Sequence, residues 1–299
     1  MSFAEESYKK HAESYINVSD SEVKKYETWF DYKTVDLWRH ERMFELTSLI
    51  VKQNTDKKWL TVGDGRFGTA ARFINKIAAL EVALPTDIDT RLLEVAKAKK
   101  WIKDFKYANA EQLPFKENEF DYSFVKQAYH HFPQPFKAIY EMIRVSKEAV
   151  VFNEPGDFLP SPVPRRIMQI IKNTLKSILG KNIPHHDTGN YEEVGNYIYS
   201  ISEREFEKVA LGLHLPAVAF KRFQDVYIAG VEEEMLNSNG PLYKKLKIQL
   251  VKNTFLYKLG LSNTNQLHAV IFKTMPNEKL IKELKVNNYK FIELPKCPY

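Results

Sequence analysis

Trp59-Leu60-Thr61-Val62-Gly63-Asp64-Gly65-Arg66-Phe67-Gly68-Thr69 is the stretch that decides how this chain is read. A short apolar run ends in three closely spaced glycines, and an amphipathic segment opens near Thr69. Glycines at 63, 65 and 68 let the chain turn tightly and bring backbone N–H groups up to a ligand at a helix start. The spacing is that of a dinucleotide fingerprint, so a nucleotide-like ligand is expected against residues 63–68.

The surroundings repeat this pattern. Apolar runs at 60–62, 82–85, 122–125 and 149–152 are separated by amphipathic segments, which implies strands alternating with helices and a parallel sheet covered on both faces. Residues 1–57 read as an N-terminal helical cover, with a cap signal at Asp20 and Ser21, and residues 58–156 as the ligand-binding half of the core. Four prolines between 155 and 164 break the rhythm, and 157–200 read as an inserted lid or substrate region. The core resumes over 201–275, where Ser202 and Glu205 form a capping box, 218–227 and 267–273 read as strands, and 231–259 as a helical insertion. Residues 276–299 read as a C-terminal extension.

Composition narrows the function classes. Of 299 residues, 44 are basic and 38 acidic, for a net charge of +6 spread along the chain. That favours an anionic substrate or surface, yet no nucleic-acid reading module accompanies it, so nucleic acid is not the expected partner. Cys297 is the single cysteine, which excludes a disulfide framework and a thiolate metal cluster. The polar N-terminus and the lack of a long apolar window lead to a cytoplasmic expectation without a transmembrane segment.

The second acidic element is Thr86-Asp87-Ile88-Asp89, some two dozen residues past Gly63. Its Asp87 carboxylate is suited to accept hydrogen bonds from ribose hydroxyls. From here the sequence resembles the class I methyltransferases, in particular the broad group related to ubiquinone and small-molecule methyltransferases. Asp87-Ile88-Asp89 with Leu92, Leu93 and Ala96 is similar to that group's second-strand acid and helix, and Asn109-Ala110-Glu111-Gln112-Leu113-Pro114-Phe115 to the segment framing adenine. Phe120-Asp121, His130-His131-Phe132-Pro133-Gln134-Pro135 and the stretch 138–155 resemble the rest of the core in order and spacing. The resemblance covers about residues 59–155. It implies a Rossmann-like α/β, doubly wound, mostly parallel sheet, with S-adenosyl-L-methionine as cofactor.

Carried over by position, the resemblance makes Gly63, Gly65, Asp87, Asn109 and Ala110 cofactor contacts; Asp64, Gly68, Ile88, Glu111, Lys126 and Gln127 adjoin them and join the set. Alternation along a strand lets only one of Lys126 and Gln127 face the crevice. Two departures stand out. Thr61 occupies the position where the family carries an acid, and Phe67 that of its third glycine, which leaves Asp64 as a substitute partner for the cofactor's ammonium. Asn109 replaces an aspartate.

Methyl transfer from a sulfonium is an in-line displacement in which positioning does most of the work, and a base is needed only when the acceptor must lose a proton. His130 and His131 at the carboxyl edge of the fourth strand are the candidate bases; local backbone hydrogen bonding is the alternative for either. In the insertion, His186, Tyr191 and Tyr197 are candidate substrate contacts. The run His185-His186-Asp187 lacks helical ligand spacing, and no metal is expected. The basic amphipathic segment 165–181 suits a lid, a dimer contact or peripheral contact with an anionic membrane.

The expectation is an S-adenosylmethionine-dependent O-methyltransferase of a small polyhydroxylated acceptor, a sugar or glycan-linked group. The alternatives are an NAD(P)-dependent oxidoreductase, a C-methyltransferase of a quinone or lipid-like acceptor, and a non-enzymatic binding protein.

Overall fold

The computed structural model describes residues 3–14, 24, 33–157, 163–180, 197–236 and 240–298. The strands are β1 (Trp59–Val62), β2 (Ala83–Asp87), β3 (Lys106–Tyr107), β4 (Phe120–Lys126), β5 (Ser146–Pro155), β6 (Ala217–Phe223), β7 (Gln266–Phe272) and β8 (Lys290–Glu293). They form one sheet in the order β3-β2-β1-β4-β5-β7-β6-β8. The first five pair in parallel; β7 runs antiparallel to both β5 and β6, and β8 antiparallel to β6. Covered on both faces, β1 and β7 have no exposed residue, as their largely apolar sequences require.

The helices are α1 (Phe3–Ser14), α2 (Val35–Met43), α3 (Glu45–Val51), α4 (Thr69–Ala78), α5 (Arg91–Ala98), α6 (Pro135–Val145), α7 (Val163–Ile178), α8 (Glu203–Gly212), α9 (Pro241–Lys258) and α10 (Glu278–Val286). One core layer packs α2, α3, α4 and α10 on the sheet through Leu37, Phe44, Ile50, Ile74 and Leu284. The opposite layer packs α6 and α8 through Ile139, Met142 and Phe206. The parallel sheet clad on both faces is therefore as expected. So is the capping box: Ser202 Oγ accepts from Glu205 N at 3.1 Å, and Glu205 Oε2 accepts from Ser202 N at 2.9 Å.

Two segments differ from the sequence reading. The helical insertion expected from residue 231 begins only at Pro241, because Glu234 folds back and accepts from the N–H groups of Leu242 and Tyr243 at 3.0 and 2.7 Å, capping α9 from outside. The C-terminal extension is not peripheral to the sheet: α10 packs into the core, and β8 covers the edge of β6. The cap signal at Asp20 and Ser21 lies outside the described residues.

Candidate active site

The site forms at the carboxyl edge of the parallel strands, where β1, β2, β4 and β5 end side by side. Gly63 lies in the left-handed region at φ 68°, and a Cβ there would stand 2.6 Å from the Ala128 Cβ. The turn after β4 is thereby packed directly on the glycine loop. A Cβ on Gly65 would stand 2.6 Å from Asp87 Oδ2, the oxygen that accepts from Gly65 N at 2.8 Å. Asp87 Oδ1 accepts from Asp89 N at 2.9 Å. Each carboxylate oxygen has two acceptor sites, so Asp87 braces the loop and keeps lone pairs for a further donor. Burial pushes its carboxyl up to about 6 against the opposing pull of the Asp89 and Gly65 N–H groups.

Phe67 answers the departure at the third glycine. It keeps a left-handed φ of 58° and is buried with Leu92, Leu93 and Ile102. The loop retains its bend, and the aromatic ring pins it to α5. Thr61 and Asp64 work together. Thr61 Oγ1 donates to Asp64 Oδ2 at 2.8 Å, and the Asp64 carboxylate accepts from Ala70 N and Ala71 N at 3.0 and 2.9 Å. Asp64 thus caps α4 from inside, with burial raising its carboxyl to about 6. Three of its four acceptor positions are engaged in this cap, which leaves one on Oδ1 for a further donor.

Strand alternation separates Lys126 from Gln127. The Lys126 ammonium lies 5.2 Å from the Phe44 ring centre, and burial lowers it to about 8 while Asp64 pulls it back up. Its register partner on β5 is the fully buried Asn153. Gln127, left-handed at φ 53°, donates from Nε2 to Gln266 Oε1 at 2.8 Å and from its backbone to Asn153 O at 3.0 Å. Its side chain is tied to the start of β7 and serves the sheet.

The adenine-framing segment is held from three sides. Asn109 Oδ1 accepts from Glu111 N at 2.8 Å, and Glu111 Oε1 from Gln134 N at 2.7 Å. Arg144 donates to the carbonyls of Phe115 and Leu113 at 2.8 and 3.0 Å, and Glu141 accepts from Leu113 N at 2.8 Å. From α1, Tyr8 reaches this segment; burial and the adjacent Glu111 raise its phenol well above the usual range. Ala110 is buried, Ile88 half-buried, and Gly68 starts α4 at φ 61° against Ile102 and Pro85.

The two histidines share a 3₁₀ turn, Tyr129–His131, with ring centres 3.9 Å apart. His130 Nδ1 lies 2.6 Å from Glu154 Oε2, and Glu154 Oε1 accepts from Ala128 N and Tyr129 N at 2.9 and 3.1 Å. Glu154 is fully buried at the end of β5. An ionised carboxylate only accepts, which assigns the hydrogen to Nδ1 and leaves Nε2 as the basic nitrogen. Sequence reading missed Glu154; its one signal was an acid inside an otherwise apolar strand end. Tyr199 N donates to His130 O at 3.2 Å, and Tyr197 packs on Tyr199 at 5.1 Å between ring centres, so the end of the insertion adjoins this turn. His185, His186, Asp187 and Tyr191 lie outside the described residues.

Residues 60–152 match a family described as a methyltransferase domain. Over these residues the chain carries a methyltransferase domain. No curated protein matches the sequence. Among solved structures, this methyltransferase is similar to the YcgJ protein from Bacillus subtilis at 16% identity, covering 77% of this chain and 99% of that one with a TM-score of 0.45. A phosphoethanolamine N-methyltransferase 2 from Haemonchus contortus, in complex with S-adenosyl-L-methionine, matches at 14% identity over 81% of this chain and 58% of the other, TM-score 0.46. The [4+2]-cyclase SpnF matches at 15% identity over 77% and 80%, TM-score 0.46. The oxidoreductase alternative finds no support in the family match, since glycine spacing alone had suggested it. Among the described residues of the methyltransferase no helix is long and apolar enough to cross a membrane.

Class I methyltransferases take their methyl group from S-adenosyl-L-methionine, and the residues present fit that cofactor. The backbone at Gly63 and Gly65 runs where no side chain has room, and Asp87 retains acceptor capacity beside it.

Proposed function

We propose that this methyltransferase O-methylates a small polyhydroxylated acceptor, a sugar or glycan-linked group, with His130 as general base. S-adenosyl-L-methionine supplies a methyl group on a sulfonium leaving group. In this reading Gly63 and Gly65 hold the amino-acid end of the cofactor and Asp87 its ribose, with Gly68 and Ile88 shaping the loop. Asn109, Ala110 and Glu111 frame its base, and Lys126 offers a cation to its carboxylate.

One observation carries the acceptor chemistry: the 2.6 Å contact between His130 Nδ1 and buried Glu154, in a turn packed on Gly63. A hydroxyl must lose its proton as it attacks, and an imidazole held by a carboxylate is built to take it at Nε2. Glu154 stabilises the imidazolium that forms, so the proton resides on the ring until solvent removes it. His131, its ring tilted against that of His130, is the second candidate base, and Tyr197, His186 and Tyr191 are candidate acceptor contacts.

His130→Ala is expected to lower kcat by about 10²–10⁴ while leaving the cofactor dissociation constant unchanged by calorimetry. Glu154→Gln should lower kcat less, because the imidazole keeps a hydrogen-bond partner at Nδ1 but loses the charge that stabilises the imidazolium. A His130→Ala chain with wild-type kcat on hydroxyl acceptors would overturn the base assignment. Turnover confined to quinone or lipid carbons would replace the acceptor class with the C-methyl alternative.

A further inference from the structure

We propose that α7 and α9 seat this protein on the surface of an anionic phospholipid bilayer. Stepping at 100° per residue, Ile167, Ile170, Ile171, Leu175, Ile178 and Leu179 occupy one half of α7. All six are more than half exposed, with Ile178 at 74%. Lys172 and Lys176 lie on the arc beyond them, and α7 contains four basic residues and no acid. Exposed aliphatic rows of this extent mark a contact surface on a water-soluble chain.

α9 repeats the chemistry independently. It is anchored by Leu246 and Leu250 against Val35 and Val231, yet Ile248, Val251 and Phe255 remain 67%, 68% and 59% exposed. Its 18 residues include five lysines and no acid. A groove of about 420 Å³ between α9 and α2 is lined by Trp38, Val251 and Phe255 with Arg42, Lys247 and Lys258 at its sides.

Charge selects the occupant. A second copy would set basic helices without acids against each other, which like-charge repulsion opposes. Nucleic acid would match the lysines but leave rows of isoleucine and leucine in water. An anionic bilayer satisfies both: the aliphatic side chains enter the acyl boundary and the lysine stems reach back to the headgroups.

The test is co-sedimentation of the full chain with vesicles of phosphatidylcholine alone or with one third phosphatidylserine. The chains compared are wild type, Lys172→Glu/Lys176→Glu, Lys247→Glu/Lys252→Glu and Ile171→Ser/Leu175→Ser. Wild type is expected to pellet with the anionic vesicles and to be released by salt. Each charge-reversed pair should bind on the order of 25-fold more weakly, from about fivefold per lysine, and the serine pair should also lose binding. Equal pelleting with neutral vesicles, or none with either, overturns the proposal. So does a dimer in light scattering that the serine pair dissolves, or retention on RNA in place of vesicles. A steep fall in melting temperature for the serine pair would overturn it as well, since that face would then be packed on its own domain.

Discussion

Asp87 couples the cofactor loop to pH at the scale of a single side chain. Its carboxyl is raised to about 6 by burial, and the ionised form is the better acceptor for ribose hydroxyls. Affinity for S-adenosylhomocysteine should therefore be flat above pH 7 and fall through pH 6, reaching about tenfold weaker at pH 5 if only the ionised form binds. Calorimetry across this range should show the slope in wild type and a weak, pH-flat binder in Asp87→Asn. A wild-type affinity independent of pH would mean that Asp87 only braces Gly65. Asp87 and the histidine pair could be singled out in the sequence because a motif places them. Glu154 was not, because its partner is 24 positions away and meets it only when β4 and β5 pair. The capping role of Asp64 was hidden for a related reason: nothing in Gly63-Asp64-Gly65 reveals that the carboxylate turns inward to the N-terminus of α4.

Elements are joined by contacts that no local pattern announces. Arg39 on α2 grips Asp225, just after β6, through Nε and Nη2 at 2.9 and 2.7 Å, and also meets Asp36 at 2.9 Å. Both partners are largely buried, and the pair binds the N-terminal cover to the far half of the sheet. Asp225→Ala should cost about 1.5–3 kcal/mol, since it removes the two-pronged partner of a buried guanidinium that keeps only Asp36, read as a lower denaturation midpoint in urea. Loss of less than about 0.5 kcal/mol would place the pair with weak surface bridges. The existence and type of the core elements were legible because alternating apolar runs have few other solutions. The start of α9 was not, because a proline at its first position and a cap borrowed from Glu234 move it about ten residues from where the apolar pattern begins.

Across the whole molecule, β7 and its neighbours bury a histidine inside the sheet. His268 sits between Tyr289 and the carbonyl of Met43, at 2.9 Å from each, and burial depresses its ring to about 3. It is neutral when folded, whereas the unfolded chain protonates it near its ordinary value of about 6.5. Its stabilising contribution is thus complete above pH 6.5 and lost as pH falls toward 3, by up to about 1.4 kcal/mol per pH unit. Melting curves of wild type and His268→Gln should converge as pH falls through this window; parallel curves would refute the assignment.

β8 turns the last residues into a shield. With Lys290–Glu293 hydrogen-bonded along Ala217–Phe220, the strand that would otherwise face solvent at this side of the sheet is already paired. Anything fused behind Tyr299 hangs from that shield, and an expression handle that peels β8 away would bare a sticky margin inviting chain-to-chain stacking. A handle at the opposite terminus spares the shield but crowds α1, whose Tyr8 lies against Glu111. The choice of handle is therefore a choice between baring that margin and crowding α1 where it meets Glu111.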